Sequence, residues 1–195
     1  MKEDKYIWDE FKNDTENALS YIYNQNVDFL FFYGKKFTIE EDFILDMIQD
    51  LFYDLIKYRK TLSATDNIRL YLMKSFRRKL LRGIENKRKF AKLDSDYNLE
   101  PKIVFSIEEE MITDEDQSRR NKFIMLGLKE LNAKQREVIY YKFTLGYDYS
   151  QISEIMSITY DSARQLVSRG INSLKQFMSE NNFILMLIYR KLTDK

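Results

Sequence analysis

The stretch from Asn132 to Phe177 leaves few folds open, because helix starts and stops are written into it at close range. Asn132 can cap one helix, and Gln135 stands three residues later where its side chain can reach back, the spacing of a capping box. Val138, Ile139, Tyr141 and Phe143 supply apolar groups before Gly146, a residue that commonly ends a helix. Asp148 with Gln151 repeats the capping spacing, and Tyr149, Ile152, Ile155 and Met156 form the next apolar face. After the joint Ser157-Ile158-Thr159, Thr159 can cap a third helix. There Ala163, Leu166, Val167, Gly170, Ile171 and Leu174 fall on a single stripe at helical spacing. The middle helix, under two turns long, cannot bury much surface alone and must pack across its neighbour through the tight joint. That arrangement is a helix-turn-helix.

The third helix turns a distinctive face outward. Asp161, Ser162, Arg164, Gln165, Ser168 and Arg169 point away from the stripe, with Tyr160 ahead of them at the helix start. Arginine and glutamine present paired hydrogen-bonding groups that match guanine and adenine edges in the major groove. Serine and a helix N-terminus suit phosphate. Any surface helix has a polar face, so the residues alone also fit a solvated helix. The short preceding helix, the caps and the joint together point to DNA recognition.

Composition fixes the class of the rest. The 195 residues allow one or two domains and carry enough apolar and aromatic side chains for a core. One proline and five glycines suit a nearly all-helical chain. Cysteine and histidine are both absent, which removes zinc ribbons, thiolate metal sites, disulfides, catalytic thiols and histidine-dependent hydrolases. No glycine-rich phosphate loop or paired-carboxylate site stands apart from the helix faces, so no catalytic residue, metal ligand or cofactor is expected. Met1 to Glu10 is charged and does not resemble a signal peptide, which makes the cytoplasm the expected location.

Charge is segregated although the net is only +1. Residues 1–60 hold 8 basic against 13 acidic side chains, and residues 69–92 hold 10 against 1. Residues 93–118 hold 1 against 9, and residues 119–195 hold 13 against 7. Two basic segments separated by an acidic one imply two surfaces facing nucleic acid, joined by a tether that phosphate does not attract.

Trp8 to about Tyr33 reads as helical, with Phe11, Ala18, Leu19, Ile22, Tyr23, Val27, Leu30 and Phe31 at helical spacing. A second helix runs from about Ile39 to Tyr58, and its polar side carries Asp42, Asp46, Gln49, Asp50 and Asp54. The loop Arg59–Asp66 follows. Asp66 or Asn67 can then cap a helix from Ile68 to about Lys89, whose outward side holds Lys74, Arg77, Arg78, Arg82, Lys87, Arg88 and Lys89. Cations hold a phosphate backbone, and the interleaved Tyr71, Phe76 and Phe90 can receive unstacked bases or simply belong to the core. A basic helix also fits a membrane surface or a partner protein. Residues 93–120 read as an acidic linker, residues 181–195 as an apolar tail. The run Phe183–Tyr189 is too short to span a bilayer, so stable membrane insertion is not expected.

Five runs carry a family resemblance. Leu131-Asn132-Ala133-Lys134-Gln135-Arg136-Glu137-Val138-Ile139, Tyr149-Ser150-Gln151-Ile152-Ser153-Glu154-Ile155-Met156, and Ser162 through Lys175 resemble region four of bacterial sigma factors, the extracytoplasmic-function (ECF) group above all. Asp46-Met47-Ile48-Gln49-Asp50-Leu51-Phe52 resembles the signature of sigma region two, and Ile68 through Leu81 its −10-binding helix. The family usually has glycine at Ser157 and alanine at Gly170, so a less comfortable joint and a slightly loosened recognition helix are expected. The resemblance covers roughly residues 11–90 and 121–178. It implies an all-α chain of two small helical domains, 8–92 and 121–180, the second a helix-turn-helix, joined by the linker 93–120.

The implied function is that of an alternative sigma factor that binds core RNA polymerase and directs promoter recognition. Tyr160, Asp161, Ser162, Arg164, Gln165, Ser168 and Arg169 would meet a −35 element. Lys74, Arg77, Arg78, Arg82, Lys87 and Arg88 would meet the −10 element. Asp46, Gln49, Asp50 and Phe52 would dock on the polymerase clamp helices, and apolar groups of the second domain on the flap. By the same resemblance the loop after the second helix captures a flipped base, and the linker threads the RNA exit path. An anti-sigma factor is a partner that the family often has. The residues themselves leave two other readings open: a stand-alone helix-turn-helix regulator, and a helical adaptor that binds no DNA.

Overall fold

The structure of the chain, a computed structural model, describes residues 2–91, Ile103 and 124–193, with backbone alone from 181 onward. Among the described residues every regular element is a helix. The main division into two compact units falls between Pro101 and Lys102. The linker expected over 93–120 lies outside the described residues apart from Ile103, as do Phe123, the side chain of Phe90 and those of the apolar tail.

The first unit contains α1 (Lys2–Lys12), α2 (Glu16–Gly34), α3 (Glu41–Tyr58), a single 3-10 turn (Arg59–Thr61) and α4 (Ile68–Ala91). The one helix expected from Trp8 to Tyr33 is in fact two. Asp14 takes a left-handed conformation at φ 71°, which an aspartate tolerates better than most residues. The turn is closed by the Asn13 N–H donating to Asp9 O at 3.1 Å and the Thr15 N–H to Glu10 O at 3.2 Å. The break folds α1 back against α2 and buries Trp8 and Phe11. The unit therefore begins ahead of residue 8. Its core joins Trp8, Ile22, Leu30 and Tyr33 to Ile44, Ile48 and Leu51 of α3 and to Leu72, Met73, Phe76 and Leu80 of α4, all essentially inaccessible. Burial of each such side chain stabilises by about 1.5–3 kcal/mol.

The second unit has a helix over 124–130 (α5), α6 (Ala133–Ile139), α7 (Tyr149–Met156) and α8 (Tyr160–Thr193). The expected caps form. Asn132 Oδ1 accepts from the Gln135 N–H at 2.9 Å, while the Asn132 N–H donates back to Gln135 Oε1 at 3.1 Å. Asp148 and Gln151 repeat this at 2.8 and 2.9 Å, and Thr159 Oγ1 accepts from the Ser162 N–H at 3.1 Å. Caps of this kind contribute about 1 kcal/mol each.

Helix α6 does not continue regularly to Gly146. It widens into one π turn, Tyr140–Thr144, before Gly146 reverses the chain at φ 71°. The wider turn changes the helical phase within it, and Tyr140 and Tyr141 are buried while Phe143, expected on the apolar face, is 62% exposed. Along α8 the predicted stripe holds: Ala163, Val167 and Gly170 are buried, and Ile171 and Leu174 pack against Leu128, Leu131 and Ile139. Gly170 has a packing role. A Cβ there would lie 3.1 Å from Ile139 Cγ1 and 3.2 Å from its Cδ1, so the glycine lets α8 approach α6 closely. Helix α8 runs unbroken past residue 180, where a separate tail was expected to begin.

Candidate nucleic-acid interface

The face expected to meet DNA is built by the start of α8. Tyr160, Asp161, Arg164, Gln165, Ser168 and Arg169 are all exposed, on the side away from Ala163 and Val167. Ser162 is half-buried, and its hydroxyl accepts a 2.8 Å hydrogen bond from Thr159 Oγ1, which ties it to the cap. Arg164 is held only loosely by Asp161, at 3.8 Å, and its guanidinium remains open to solvent. Ser157, at φ 55°, takes the left-handed conformation expected of this joint, with the strain that a side chain brings there.

One feature of this edge is not legible in the helical pattern. The rings of Tyr149 and Tyr160, the first residues of α7 and α8, meet edge-on at 5.8 Å, and Lys142 Nζ lies 4.8 Å from the Tyr149 ring centre. Periodicity places Tyr149 in the apolar face, yet it is half exposed and sits with a cation and a second tyrosine beside the recognition face. The aromatic at the first position of both helices is the sequence signal for it.

In the first unit, Lys74, Arg77, Arg78, Arg82 and Arg88 share one side of α4 by helical spacing. Arg78 and Arg82 are exposed. Glu85 interrupts the stripe but is paired with Lys89 at 2.8 Å, and that ammonium holds its carboxyl below the usual range. Lys87 does not belong to this face. It projects toward α3, where it pairs with Glu40 and lies 4.4 Å from the Phe43 ring centre. Of the interleaved aromatics, Phe76 is fully buried, whereas Tyr71 is half-buried against Trp8 with ring centres 4.7 Å apart.

Helix α3 presents Asp46, Gln49 and Asp50 to solvent, beside Leu45 and Tyr53. Phe52 departs from expectation. It is 6% exposed and packs edge-on against Tyr23 at 4.9 Å, so it supports the helix from inside and cannot dock on a partner. Tyr53, 62% exposed, is the aromatic available on that face.

Between α3, the loop after it and α4 lies a cleft of about 280 Å³. Leu51, Leu55 and Leu62 give it apolar walls, Tyr58 and Tyr71 flank it, and Asp54, Ser75, Arg78, Lys79 and Arg82 supply polar groups. Asp54 and Lys79 are paired at 2.6 Å. Burial pushes the Tyr71 phenol above its ordinary pKa, with Arg78 acting the other way. Apolar walls, aromatic faces and a cationic rim suit an unstacked base still attached to its phosphates. Among the described residues no group of carboxylates could hold a metal ion.

Comparison with known proteins places this geometry. Residues 124–174 match the family Sigma-70, region 4. No curated protein is similar in sequence. Two solved structures share the fold over most of the chain. CnrH, solved with the cytosolic domain of CnrY, has a TM-score of 0.60 at 15% identity, over 91% of this chain and 97% of that one. The sigma factor RpoE of Bartonella quintana, solved with the anti-sigma factor NepR, has a TM-score of 0.57 at 16% identity, over 80% of this chain and 94% of that one. Residues 124–174 thus match Sigma-70, region 4, and the chain that carries them shares its helical fold with CnrH and the sigma factor RpoE.

Proposed function

We propose that the protein is an alternative sigma factor of the ECF type, which binds core RNA polymerase and directs it to promoters. The observation that carries this reading is the region-four match on a helix-turn-helix whose exposed face bears Arg164, Gln165, Ser168 and Arg169. A second cationic helix and an acidic α3 face sit in the other unit of the same chain. Arg164 and Gln165 read base edges of the −35 element from the major groove, and Tyr160, Ser162, Ser168 and Arg169 fix the helix on the backbone. Lys74, Arg77, Arg78, Arg82 and Arg88 hold the −10 strand, and the cleft beside them receives a base released from the duplex. Asp46, Gln49 and Asp50, with Tyr53 in place of Phe52, dock on the polymerase clamp, and the second unit grips the flap.

The chain contributes binding energy and no covalent chemistry. CnrH and RpoE were each solved with a protein partner, and an anti-sigma factor is the corresponding regulator here. Among the described residues no helix is long and apolar enough to cross a membrane. We place its action in the cytoplasm, where the polymerase is.

The test is run-off transcription with core RNA polymerase from the same organism on fragmented genomic DNA. Discrete start sites that depend on the protein, and that disappear with Arg164→Ala/Gln165→Ala, are the expected result. Specific DNA binding that never programmes core polymerase would replace this reading with that of a stand-alone regulator.

A further inference from the structure

The loop between α3 and α4 is fastened at three points by the chain ahead of α2, and Tyr71 of α4 also reaches Ser63 within it. At its start, Arg59 pairs with Asp14 in the turn that separates α1 from α2. At its middle, the Trp8 indole N–H donates to Ser63 O at 2.9 Å. At its end, Asp4 Oδ2 accepts from the Ile68 N–H at 3.0 Å and so caps α4 with a residue remote in sequence. Trp8 also packs at a tilt against Tyr71, which flanks the cleft.

We propose that α1 and the turn after it are a positioning element for DNA opening: Asp4, Trp8 and Asp14 hold the 59–68 segment in the shape that receives an unstacked base. The inference rests on the sigma reading of the cleft and adds to it a role for a helix that does not line the cleft. Within the segment, the remaining side-chain hydrogen bonds are local ones, from Thr61 Oγ1 to Tyr58 O, between Thr65 and Asn67, and from the Leu70 N–H to Asn67 Oδ1 at 2.9 Å, which caps α4 from the loop's own end. Such bonds shape single turns and the start of α4 but leave residues 59–65 without a side-chain tie to α1 or to the turn after it. Holding a residue in one backbone conformation costs about 1–2 kcal/mol. A loop left free would owe that ordering entropy each time a base entered. Ties at 59, 63 and 68 leave only three- and four-residue spans between fixed points, so most of it is lost on folding instead. The three ties also differ in chemistry (an ion pair, an indole donor and a helix cap), and each can be removed separately.

The experiment uses the full chain and fluorescently labelled single-stranded oligonucleotides carrying the −10 sequence of promoters mapped by run-off transcription. Asp4→Ala removes the cap acceptor, while Asp4→Asn keeps one. Asp14→Asn removes the charge but tolerates the left-handed backbone. Asp4→Ala/Asp14→Asn is expected to bind the single strand about tenfold more weakly, two lost contacts at the usual size for hydrogen bonds and exposed ion pairs. Its affinity for the −35 duplex and its competition for core polymerase should stay at wild-type level, and Asp4→Asn alone should retain most of the single-strand affinity that Asp4→Ala loses. An unchanged single-strand affinity in the folded double variant overturns the proposal. So does an equal loss of −35 and core binding, which would make α1 merely structural. If the wild-type protein binds no single strand, the failure lies in the sigma reading of the cleft, and the role of α1 falls with it.

Discussion

Replacing Arg136 tests how the second unit is held together. Its side chain is 8% exposed and donates to three main-chain carbonyls: Ile103 O at 3.1 Å, Lys129 O at 2.8 Å and Leu131 O at 3.2 Å. Two of these belong to the end of α5, where helix carbonyls lack partners of their own. Burial lowers the guanidinium pKa, and the charge of Glu130 acts in the opposite sense, yet an arginine so placed stays charged. Nε has no partner and is buried, so the group sits in its site at some desolvation cost. Hydrogen bonds from a charged donor contribute about 1.5–3 kcal/mol each. Three of them, less the guanidinium desolvation that the variant no longer incurs, put Arg136→Ala at about 3–5 kcal/mol.

Arg136→Lys should lose about half as much, since an ammonium cannot span three acceptors as the planar fork does. The assay is urea unfolding followed by far-UV circular dichroism together with the fluorescence of Trp8. The sole tryptophan lies in the first unit and reports that unit alone. The dichroism of the second unit should move down by about 2–3 M urea for Arg136→Ala, while the Trp8 transition stays in place. A cost below about 1 kcal/mol would refute the argument, because the three carbonyls would then be satisfied as well by water.

Further outcomes are expected from the geometry. Ser157→Gly should raise the stability of the second unit by about 0.5–1 kcal/mol, because glycine relieves the φ 55° strain at a partly offsetting entropic cost; thermal melts followed by dichroism would read it. Phe52→Ala should destabilise the first unit by about 3–5 kcal/mol in Trp8-detected unfolding. Asp46→Ala/Gln49→Ala should leave that curve unmoved and weaken competition for core polymerase; the reverse pattern would return Phe52 to the docking face. Arg164→Ala should weaken a −35 duplex by about 1–3 kcal/mol with relaxed specificity, whereas Arg82→Ala should lower the salt slope of −10 binding by about one, both measurable by anisotropy titration.

Local order in the second unit is legible from the residues alone. Caps at Asn132, Asp148 and Thr159, the turn at Gly146 and the stripe from Ala163 to Leu174 depend on neighbours within a few residues, and such signals survive without knowledge of the fold. The charge blocks likewise mark α4 as a cationic helix. Which side of a helix meets which neighbour is settled by packing in three dimensions. Phe52 sits in a motif whose polar members are exposed, but contact with Tyr23 on α2 takes it into the core. Lys87 belongs to a basic run, yet Glu40 and Phe43, at the start of α3, draw it off the side that carries Arg78 and Arg82. The π turn at Tyr140 re-aims Phe143, and the left-handed Asp14 splits one helical pattern into two helices. Arg136 and the ties from α1 to the 59–68 loop join residues 33 and up to 64 positions apart. Pairings that distant leave no periodic trace, since each partner is chosen by packing and not by spacing.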